Sequence, residues 1–489
     1  MQRPAGAQIS HGLKARGVDV IFGIPGVHNV EMYRGIEEAG LMHVLARHEQ
    51  GVGFMADGYA RATGRPGVGY VITGPGLLNT TTALGQAYSD SVPVLMLSSC
   101  LERADLNAER GRLHDMRNQE AAGEAVCAWS RTALSAQTAY DLIDRALVEF
   151  QVGRPRPVHI QVPIDVAASP ADPMPGPPAR PFRAAPDPQA IARAAALLDG
   201  AKRPATILGG GAVGARDEVR ALVDTLGALC LPTYAGKGVV HDHAPLSLGA
   251  SLARAGSATW LARADLLLVL GSELSETDLW RDHPGHRCPM IRVDVDPSVL
   301  ADRFRADLPI LSDIAAFCTA LGTQLGPRPA AEPAWDAREI AQARLRFAAE
   351  VNAERPHVVP WSQALMAGLP SEAMVVSDMT QFAYGAKEVV ALDTPGRWAH
   401  PYGFGTLGYA LPAAIGAKIG RGDAPVIAIA GDYGFQYTCA ELGVAVELGL
   451  TLPILIWDND GLGEIADAMV RAQVPPRAVT AQNPDFAAF

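Results

Sequence analysis

Two residues that could bind a metal ion, Asp432 and Asn459, lie in the stretch at 430–463. Each follows an apolar run, and a segment with helical periodicity separates them. Because parallel strands joined by a helix end at the same edge of a sheet, the two side chains should lie close together. Their oxygens and a backbone carbonyl near Gly461 would suit Mg2+ that holds a diphosphate. Ordinary turns after strands also use Asp, Asn and Gly, so the pattern has a second interpretation.

The spacing resembles the signature of enzymes that use thiamine diphosphate (ThDP). That signature is normally Gly-Asp-Gly, then 24 residues, then Asn-Asn, and here the intervening residues are 434–457. Tyr433 replaces its third glycine and Asp458 replaces its first asparagine. The metal ligands that the resemblance implies are Asp432, Asn459 and Gly461. The diphosphate contacts that it implies are Gly431, Tyr433 and Gly434.

The segment at 47–51 (RHEQG), followed by 54–61 (FMADGYAR), resembles the part of the same family that binds the pyrimidine ring. The resemblance implies that Glu49 hydrogen-bonds to N1′ of the aminopyrimidine and favours its imino tautomer. The 4′-imino group then removes the C2 proton of the thiazolium, and the resulting ylid is the nucleophile. By itself, a glutamate at a helix start would also be explained by the helix dipole.

Two further segments resemble the family, 74–79 (GPGLLN) and 403–417 (GFGTLGYALPAAIGA). In the first, Gly74 would let the backbone approach the cofactor, and Asn79 would donate a hydrogen bond at a helix start. In the second, Leu407 occupies the position of a bulky apolar residue that wedges the two cofactor rings into a V. The other cofactor-binding residues that the resemblance implies are Pro25, Gly26, Gln381 and Gly405.

Enzymes of this family that convert a 2-oxo acid to an aldehyde by decarboxylation also need a proton donor. A histidine suits this role because its pKa lies near neutrality. We predict that His28 and Gln119 are catalytic residues beside Glu49, with family support strongest for Gln119. The alternatives are His114, His400 and Gln381.

Strands and helices alternate along the chain, which predicts doubly wound parallel sheets with ligands at the strand ends. A proline-dense linker at 170–188 marks one domain boundary. We predict three α/β domains with the ThDP-binding fold: a pyrimidine domain at 1–169, a central Rossmann-like domain at 189–323 and a diphosphate- and Mg-binding domain at 361–489. Family members continue further, so we expect the last domain to be truncated.

The central domain raises the question of FAD. Gly209, Gly210 and Gly211 follow a predicted strand, where they could cradle a nucleotide phosphate or form a tight turn. Where acetolactate synthase carries Arg-Phe-Asp-Asp-Arg near its FAD, this chain has SELSETDLW at 272–280. We therefore leave FAD binding open.

The resemblance covers nearly the whole chain and is nearest to the acetolactate synthase-like branch. It implies ThDP- and Mg2+-dependent decarboxylation of a 2-oxo acid through the ylid and an enamine. GIPGVH and GDYGFQ, at 23–28 and 431–436, are similar to the 5-guanidino-2-oxopentanoate decarboxylase group. The alternatives are an acetolactate synthase-like carboligase and a non-catalytic subunit with the same fold.

An acidic cluster in the central domain could recognise a cationic substrate. A guanidinium paired with carboxylates is held by two parallel hydrogen bonds. Acidic residues are also common in the first turn of a helix, which is the simpler interpretation. The cluster consists of Glu273, Glu276 and Asp278.

Composition narrows the class of protein. The 489 residues carry a net charge of −11 and no basic run, so we expect no nucleic-acid partner. No apolar run is long enough for a membrane span, and we expect none. The six cysteines are scattered without a CxxC pair, which indicates a cytoplasmic protein. By resemblance, we expect a homodimer or homotetramer with the cofactor between subunits.

Overall fold

The computed structural model describes residues 3–327 and 332–488 of the chain. They form α/β structure with three parallel sheets, which confirms the predicted fold class. The contacts divide the chain into two compact units. The first unit consists of Met1–Pro181, Glu372–Gln381 and Ala399–Phe489, and the second unit consists of Phe182–Ser371 and Phe382–Trp398. The three predicted domain boundaries stay predictions, and residues 328–331, which lie between the second and third predicted domains, are outside the described residues.

The N-terminal part of the first unit contains a six-stranded sheet. Its elements are β1 (Arg3–Pro4), α1 (Ala5–Ala15), β2 (Val20–Gly23), α2 (Val30–Glu38), β3 (Met42–Leu45), α3 (Glu49–Thr63), β4 (Gly67–Val71), α4 (Pro75–Ser89), β5 (Val94–Cys100), α5 (Gln119–Glu124), β6 (Trp129–Thr132), α6 (Ala136–Val152), β7 (Val158–Pro163), α7 (Ile164–Ala168) and β8 (Pro170–Ala171). The strand order is β3-β2-β4-β5-β7-β6, and every neighbouring pair is parallel. All seven residues of β5 are buried because helices cover both faces of the sheet.

The second unit contains a five-stranded parallel sheet in the order β10-β9-β11-β12-β13. Its elements are α8 (Pro188–Gly200), β9 (Pro204–Leu208), α9 (Arg216–Leu226), β10 (Leu229–Pro232), α10 (Ala255–Leu261), β11 (Leu266–Leu270), α11 (Glu276–Leu279), β12 (Met290–Asp294), α12 (Pro297–Leu300), β13 (Leu308–Leu311), α13 (Ile314–Leu325), α14 (Ala337–Glu354) and α15 (Val358–Gly368). In β11, Leu268 packs into one core, whereas Leu267 and Val269 pack into the other. Alternate residues of a strand therefore serve the two faces of the sheet.

The C-terminal segment contains a sheet in the order β15-β14-β16-β17. Its elements are β14 (Met374–Ser377), α16 (Gln381–Val389), β15 (Trp398–Ala399), α17 (Ala410–Arg421), β16 (Val426–Gly431), α18 (Asp432–Thr438), α19 (Leu442–Glu447), β17 (Ile454–Trp457) and α20 (Gly463–Arg471). Strands β16 and β17 are parallel, with Gly431 opposite Trp457 at their ends. The side-by-side strand ends that the sequence predicts are confirmed.

Helices α3 and α17 cross with their backbones in contact. A Cβ added to Gly58 would lie 1.9 Å from the carbonyl oxygen of Ala413, and one added to Gly416 would lie 1.9 Å from that of Met55. Real Cβ atoms do not approach backbone so closely, so both positions require glycine. The crossing joins the N-terminal sheet to the C-terminal sheet within the first unit.

Among the residues described, no helix combines the length and the apolar character that crossing a membrane requires.

We predict that Gly58→Ala lowers the free energy of unfolding by about 3 kcal/mol, because the added methyl group overpacks the crossing. Gly322→Ala is the matched control, since Gly322 also lies in a helix and its added Cβ would meet nothing within 4 Å. The control should be neutral or should gain up to about 1 kcal/mol from helix propensity. Urea unfolding followed by circular dichroism measures both. Equal stability of the two variants would contradict the backbone contact.

Candidate active site

Oδ1 of Asp432, the side-chain amide of Asn459 and the carbonyl oxygen of Gly461 converge at the ends of β16 and β17. An atom of the Asn459 amide lies 3.2 Å from Oδ1 of Asp432 and 2.7 Å from the carbonyl oxygen of Gly461. In the orientation where Asn459 Nδ2 donates to Gln381 Oε1 at 3.1 Å, this atom is the amide oxygen. Three oxygens so close repel one another unless a cation lies among them. In the turned orientation, the amide nitrogen would donate to the other two oxygens.

This oxygen set fits Mg2+, which takes carboxylate, amide and carbonyl ligands. The other carboxylate oxygen of Asp432, Oδ2, accepts hydrogen bonds from Gly461 N at 2.9 Å and Asn483 Nδ2 at 2.8 Å. Because both hydrogen bonds go to Oδ2, the Oδ1 atom of Asp432 is available to a ligand. Over the described parts of the chain, no group of three or more His, Cys, Asp or Glu is placed to hold a metal. Asp432, Asn459 and Gly461 stay the predicted metal ligands.

Asp378 links the start of α18 to the loop at 403–408. Its carboxylate accepts hydrogen bonds from Met379 N at 2.8 Å and Gly408 N at 2.9 Å. A Cβ on Gly434 would lie 2.5 Å from Asp378 Oδ2, so this position needs glycine, whereas Tyr433 is half-buried. Burial raises the pKa of Asp378 to about 6, although these N–H donors act in the opposite direction.

The loop at 403–408 is also tied to α4. Gly403 N donates to Asp90 Oδ1 at 2.8 Å, and Thr406 Oγ1 donates to Gln86 Oε1 at 3.1 Å. Gly405 and Gly408 have φ values of +70° and +83°, in the left-handed region that favours glycine. Leu407, the predicted wedge, lies between these two glycines and is half-buried. The loop is therefore held on both sides, as a positioning element requires.

Glu49 is the first residue of α3 and is only half-buried. Asn79 Nδ2 donates to Glu49 Oε2 at 2.9 Å, so the structure brings two of the predicted site residues together. The segment before Glu49 is held by Glu441, whose carboxylate accepts from Arg47 N at 3.1 Å and His48 N at 3.0 Å. Glu441 thus sets the direction in which α3 begins.

The turn at Gly74 is held by Gln119. Gly74 has a φ of +66°, and its N–H donates to Gln119 Oε1 at 2.7 Å. The amide nitrogen of Gln119 donates to Ser98 Oγ at 3.0 Å and to Ser99 O at 2.8 Å. Its amide is therefore fully used within the protein, and a catalytic role for Gln119 stays a prediction.

His28 lies beside this turn. Its Nδ1 is 3.1 Å from Thr73 Oγ1, and its ring contacts the edge of His114 at a centroid distance of 5.2 Å. Burial lowers the pKa of His28, and the charge of His114 lowers it further. His28 is thus a weaker base than an exposed histidine. Pro25 is exposed, and Gly26 N donates to Asn29 Oδ1 at 2.7 Å.

The alternative proton donor His400 has a different setting. It is fully buried, and its Nδ1 lies 2.9 Å from Ser377 Oγ at the end of β14. Its backbone oxygen accepts a hydrogen bond from Arg61 Nη1 at 3.5 Å. These contacts are those of a packed structural histidine.

In the second unit, Asp278 of the predicted acidic cluster already has a cation nearby. Burial, together with the charge of Glu273, raises the pKa of Asp278 to about 6, and the ammonium group of Lys387 acts in the opposite direction. Lys387 also lies 4.3 Å from the centre of the Tyr234 ring. Glu276 is exposed at the start of α11.

The glycine triplet of the second unit packs against its own sheet. A Cβ on Gly209 would lie 2.0 Å from Gly271 O, and one on Gly211 would lie 2.9 Å from Gly271 Cα. Close packing alone therefore requires glycine at these two positions. FAD binding stays a hypothesis from the sequence.

Sequence reasoning missed the residues that hold the motif segments in place. They share one role, which is to accept backbone N–H groups or to bridge carboxylates near the site. No spacing along the chain marks them, because their partners are distant in sequence. They are Gln86, Asp378, Glu441 and Asn483.

We predict that Glu441→Gln changes how stability depends on pH. Burial raises the pKa of Glu441 to about 7 from an ordinary value of 4.5, while hydrogen bonds from Arg47 and His48 lower it. Between pH 4.5 and 7 the native state then binds more protons than the unfolded state, so wild-type stability falls as pH rises. The variant lacks this titrating group. From pH 4.5 to 7, the free energy of unfolding of wild type should therefore fall by up to about 3 kcal/mol relative to that of the variant.

Urea unfolding at several pH values measures this difference. Glu350→Gln, at an exposed position of α14, is the control and should leave the pH dependence unchanged. Parallel pH curves for wild type and Glu441→Gln would contradict the raised pKa.

Comparison with known proteins identifies the family of this chain. The chain matches the thiamine pyrophosphate enzyme N-terminal TPP binding domain over residues 3–122, the central domain over 191–321 and the C-terminal TPP binding domain over 378–489. It is 44% identical to a probable 2-ketoarginine decarboxylase of Pseudomonas aeruginosa, over 99% of this chain and 87% of the relative. An acetolactate synthase of Arthrospira platensis is 30% identical, over 93% of this chain and 81% of the relative. The chain therefore belongs to the family of thiamine pyrophosphate-dependent enzymes.

Proposed function

We propose that this enzyme decarboxylates 5-guanidino-2-oxopentanoate (2-ketoarginine) to an aldehyde, with ThDP and Mg2+ bound. The similarity to the Pseudomonas aeruginosa relative carries the proposal, because it extends over 99% of the chain at 44% identity. Acetolactate synthases are similar over a comparable length but at 28–30% identity. The convergence of Asp432 Oδ1, the Asn459 amide and the carbonyl oxygen of Gly461 at the ends of β16 and β17 supports the use of Mg2+.

ThDP, when bound, supplies a nucleophilic carbon and accepts the electrons released with CO2. The residues of this chain would hold and orient it. Asp432, Asn459 and Gly461 would hold Mg2+, and the loop around Leu407 would support the rings. Because the buried Asp378 accepts a hydrogen bond from Gly408 N, this loop is held in position before the substrate binds.

Glu49 would control a proton at the pyrimidine ring. Its Oε2 accepts a hydrogen bond from Asn79, whereas no hydrogen-bond partner of its Oε1 is found among the residues described. Oε1 is therefore available to the ring nitrogen. A carboxyl group at this atom holds or releases a proton in step with the reaction, which is general acid–base chemistry.

We propose that the active enzyme is a homodimer or homotetramer. In one chain, the hydrogen bonds of Glu49 and those of Asp432 share no partner. Apolar side chains beside site residues are exposed, including Val27 at 71% and Phe404 at 53%. Exposed apolar residues next to functional groups favour an interface with a second subunit.

The six cysteines form no disulfide, which supports a cytoplasmic location.

The proposed substrate is tested by CO2 release with ThDP and Mg2+ present. We expect turnover of 5-guanidino-2-oxopentanoate with an aldehyde as the organic product, and a kcat/KM at least about tenfold lower for pyruvate. Mass spectrometry identifies the product. Acetolactate formed from pyruvate would instead establish the carboligase alternative.

Glu49→Gln should lower kcat at least about 100-fold, since the amide cannot exchange a proton with the ring. The fold and the binding of ThDP, measured by calorimetry, should be retained. Glu37→Gln is the matched control, because Glu37 is an exposed glutamate on α2 of the same unit. Full activity of Glu49→Gln would overturn the assigned role.

A further inference from the structure

A cavity of about 240 Å3 lies in the first unit beside the turn at Gly74. Thr73, Gln119 and His114 line it on the side of this turn. Gln119 also accepts the hydrogen bond from Gly74 N, and Gly74 belongs to the segment predicted to bind the cofactor. A molecule in the cavity would therefore have one end close to that segment.

The lining contains a buried acceptor that lacks a donor. Gln161 is 4% exposed, and no hydrogen-bond partner of its Oε1 is found among the residues described. Its Nε2 donates to Thr132 Oγ1 at 2.7 Å, and this hydroxyl in turn donates to the carboxylate of Glu120. This chain of hydrogen bonds fixes the orientation of the amide. A buried acceptor without a donor is costly, so the site calls for a ligand that donates hydrogen bonds.

The charge of the lining also favours a donor. Three carboxylates line the cavity, from Asp115, Glu120 and Glu124, and none of its described lining residues is Lys or Arg. Arg131 lies outside the lining, with Nη1 3.2 Å from Glu124 Oε1 and 3.8 Å from Glu120 Oε1. Arg131 is therefore shared by two of the three carboxylates and lies closer to Glu124 than to Glu120. The lining as a whole presents acceptors and negative charge.

We propose that this cavity binds the guanidinium end of the substrate, with Glu120 and Gln161 as the residues that determine specificity. The proposal rests on the proposed function. A guanidinium group is planar, carries five N–H donors and has no acceptor, which complements the lining. The cavity suits this role better than the cluster at Glu273 and Asp278, because only the cavity has the buried Oε1 of Gln161, which has no donor among the described residues.

The first test is the ratio of kcat/KM for 5-guanidino-2-oxopentanoate to that for 2-oxohexanoate, whose neutral chain has a similar length. Glu120→Gln should lower this ratio about 10- to 100-fold, because a charged hydrogen bond to the substrate is lost. Gln161→Met should lower it about tenfold, since it removes the acceptor but keeps the volume. Glu102→Gln, at an exposed position of the same unit, should leave the ratio unchanged.

The second test separates this proposal from the proposed function. Calorimetry measures binding of 4-guanidinobutanoate, which has a guanidinium tail and no 2-oxo group, to the enzyme with ThDP and Mg2+. Wild type should bind it, and Glu120→Gln should bind it at least about tenfold more weakly. Binding with this pattern, but without decarboxylation of the guanidino acid, would support the cavity and overturn only the proposed function.

The opposite results would overturn the cavity. If wild type decarboxylates the guanidino acid and both variants keep the wild-type ratio, the proposed function stands and the guanidinium lies elsewhere. Failure of wild type to bind 4-guanidinobutanoate would also overturn the proposal. Thermal unfolding shows whether each variant is folded, so that a lowered ratio of kcat/KM values can be assigned to the substituted side chain. The two variants change different atoms of the same lining.

Discussion

The backbone contact between α3 and α17 is the constraint on which the candidate site depends. Gly58 and Gly416 let the two helices touch, because any side chain at either position would meet a carbonyl oxygen at 1.9 Å. Helix α3 begins at Glu49, and α17 follows the loop that carries Leu407. A single contact therefore fixes the two helices that lead from the segments predicted to bind the pyrimidine ring and to support the cofactor rings. Small residues at the crossing leave neither helix free to shift without a clash.

Buried carboxylates hold the motif segments by accepting their backbone N–H groups. Glu441 binds the residues before Glu49, Asp90 binds the start of the loop at 403–408, and Asp378 binds its end. Burial disfavours their charged forms, and it raises the pKa of Asp378 to about 6 and that of Glu441 to about 7. This cost is accepted where a carboxylate can satisfy two N–H groups that would otherwise be buried without partners. The positions of the motif segments therefore depend on carboxylates from other parts of the chain, and not only on the sequences of the segments themselves.

The two acidic regions of the chain differ in what surrounds them. In the second unit, Asp278 lies near Lys387, so the protein supplies its own cation. In the cavity of the first unit, Glu120 and the unpaired oxygen of Gln161 face a lining without Lys or Arg among its described residues. The number of acidic residues therefore does not identify a cation site. A buried acceptor that folding leaves without a donor, such as Oε1 of Gln161 among the described residues, is the better indicator, because it can bind a ligand without breaking an internal contact.

The sequence by itself determined the family, the parallel sheets and the residues at their strand ends, including Asp432, Asn459 and Glu49. These features follow from local patterns of apolar runs, glycines and short motifs, which act over a few residues. Only the tertiary structure decided that Glu441 holds Arg47, 394 positions away, and that Oε1 of Gln161 has no donor within the part of the chain that the structure describes. Such contacts depend on how distant segments pack, and no spacing along the chain encodes that packing. The acidic cluster near Glu273 was visible in the sequence, whereas its neighbour Lys387 became apparent only after folding had brought the two segments together.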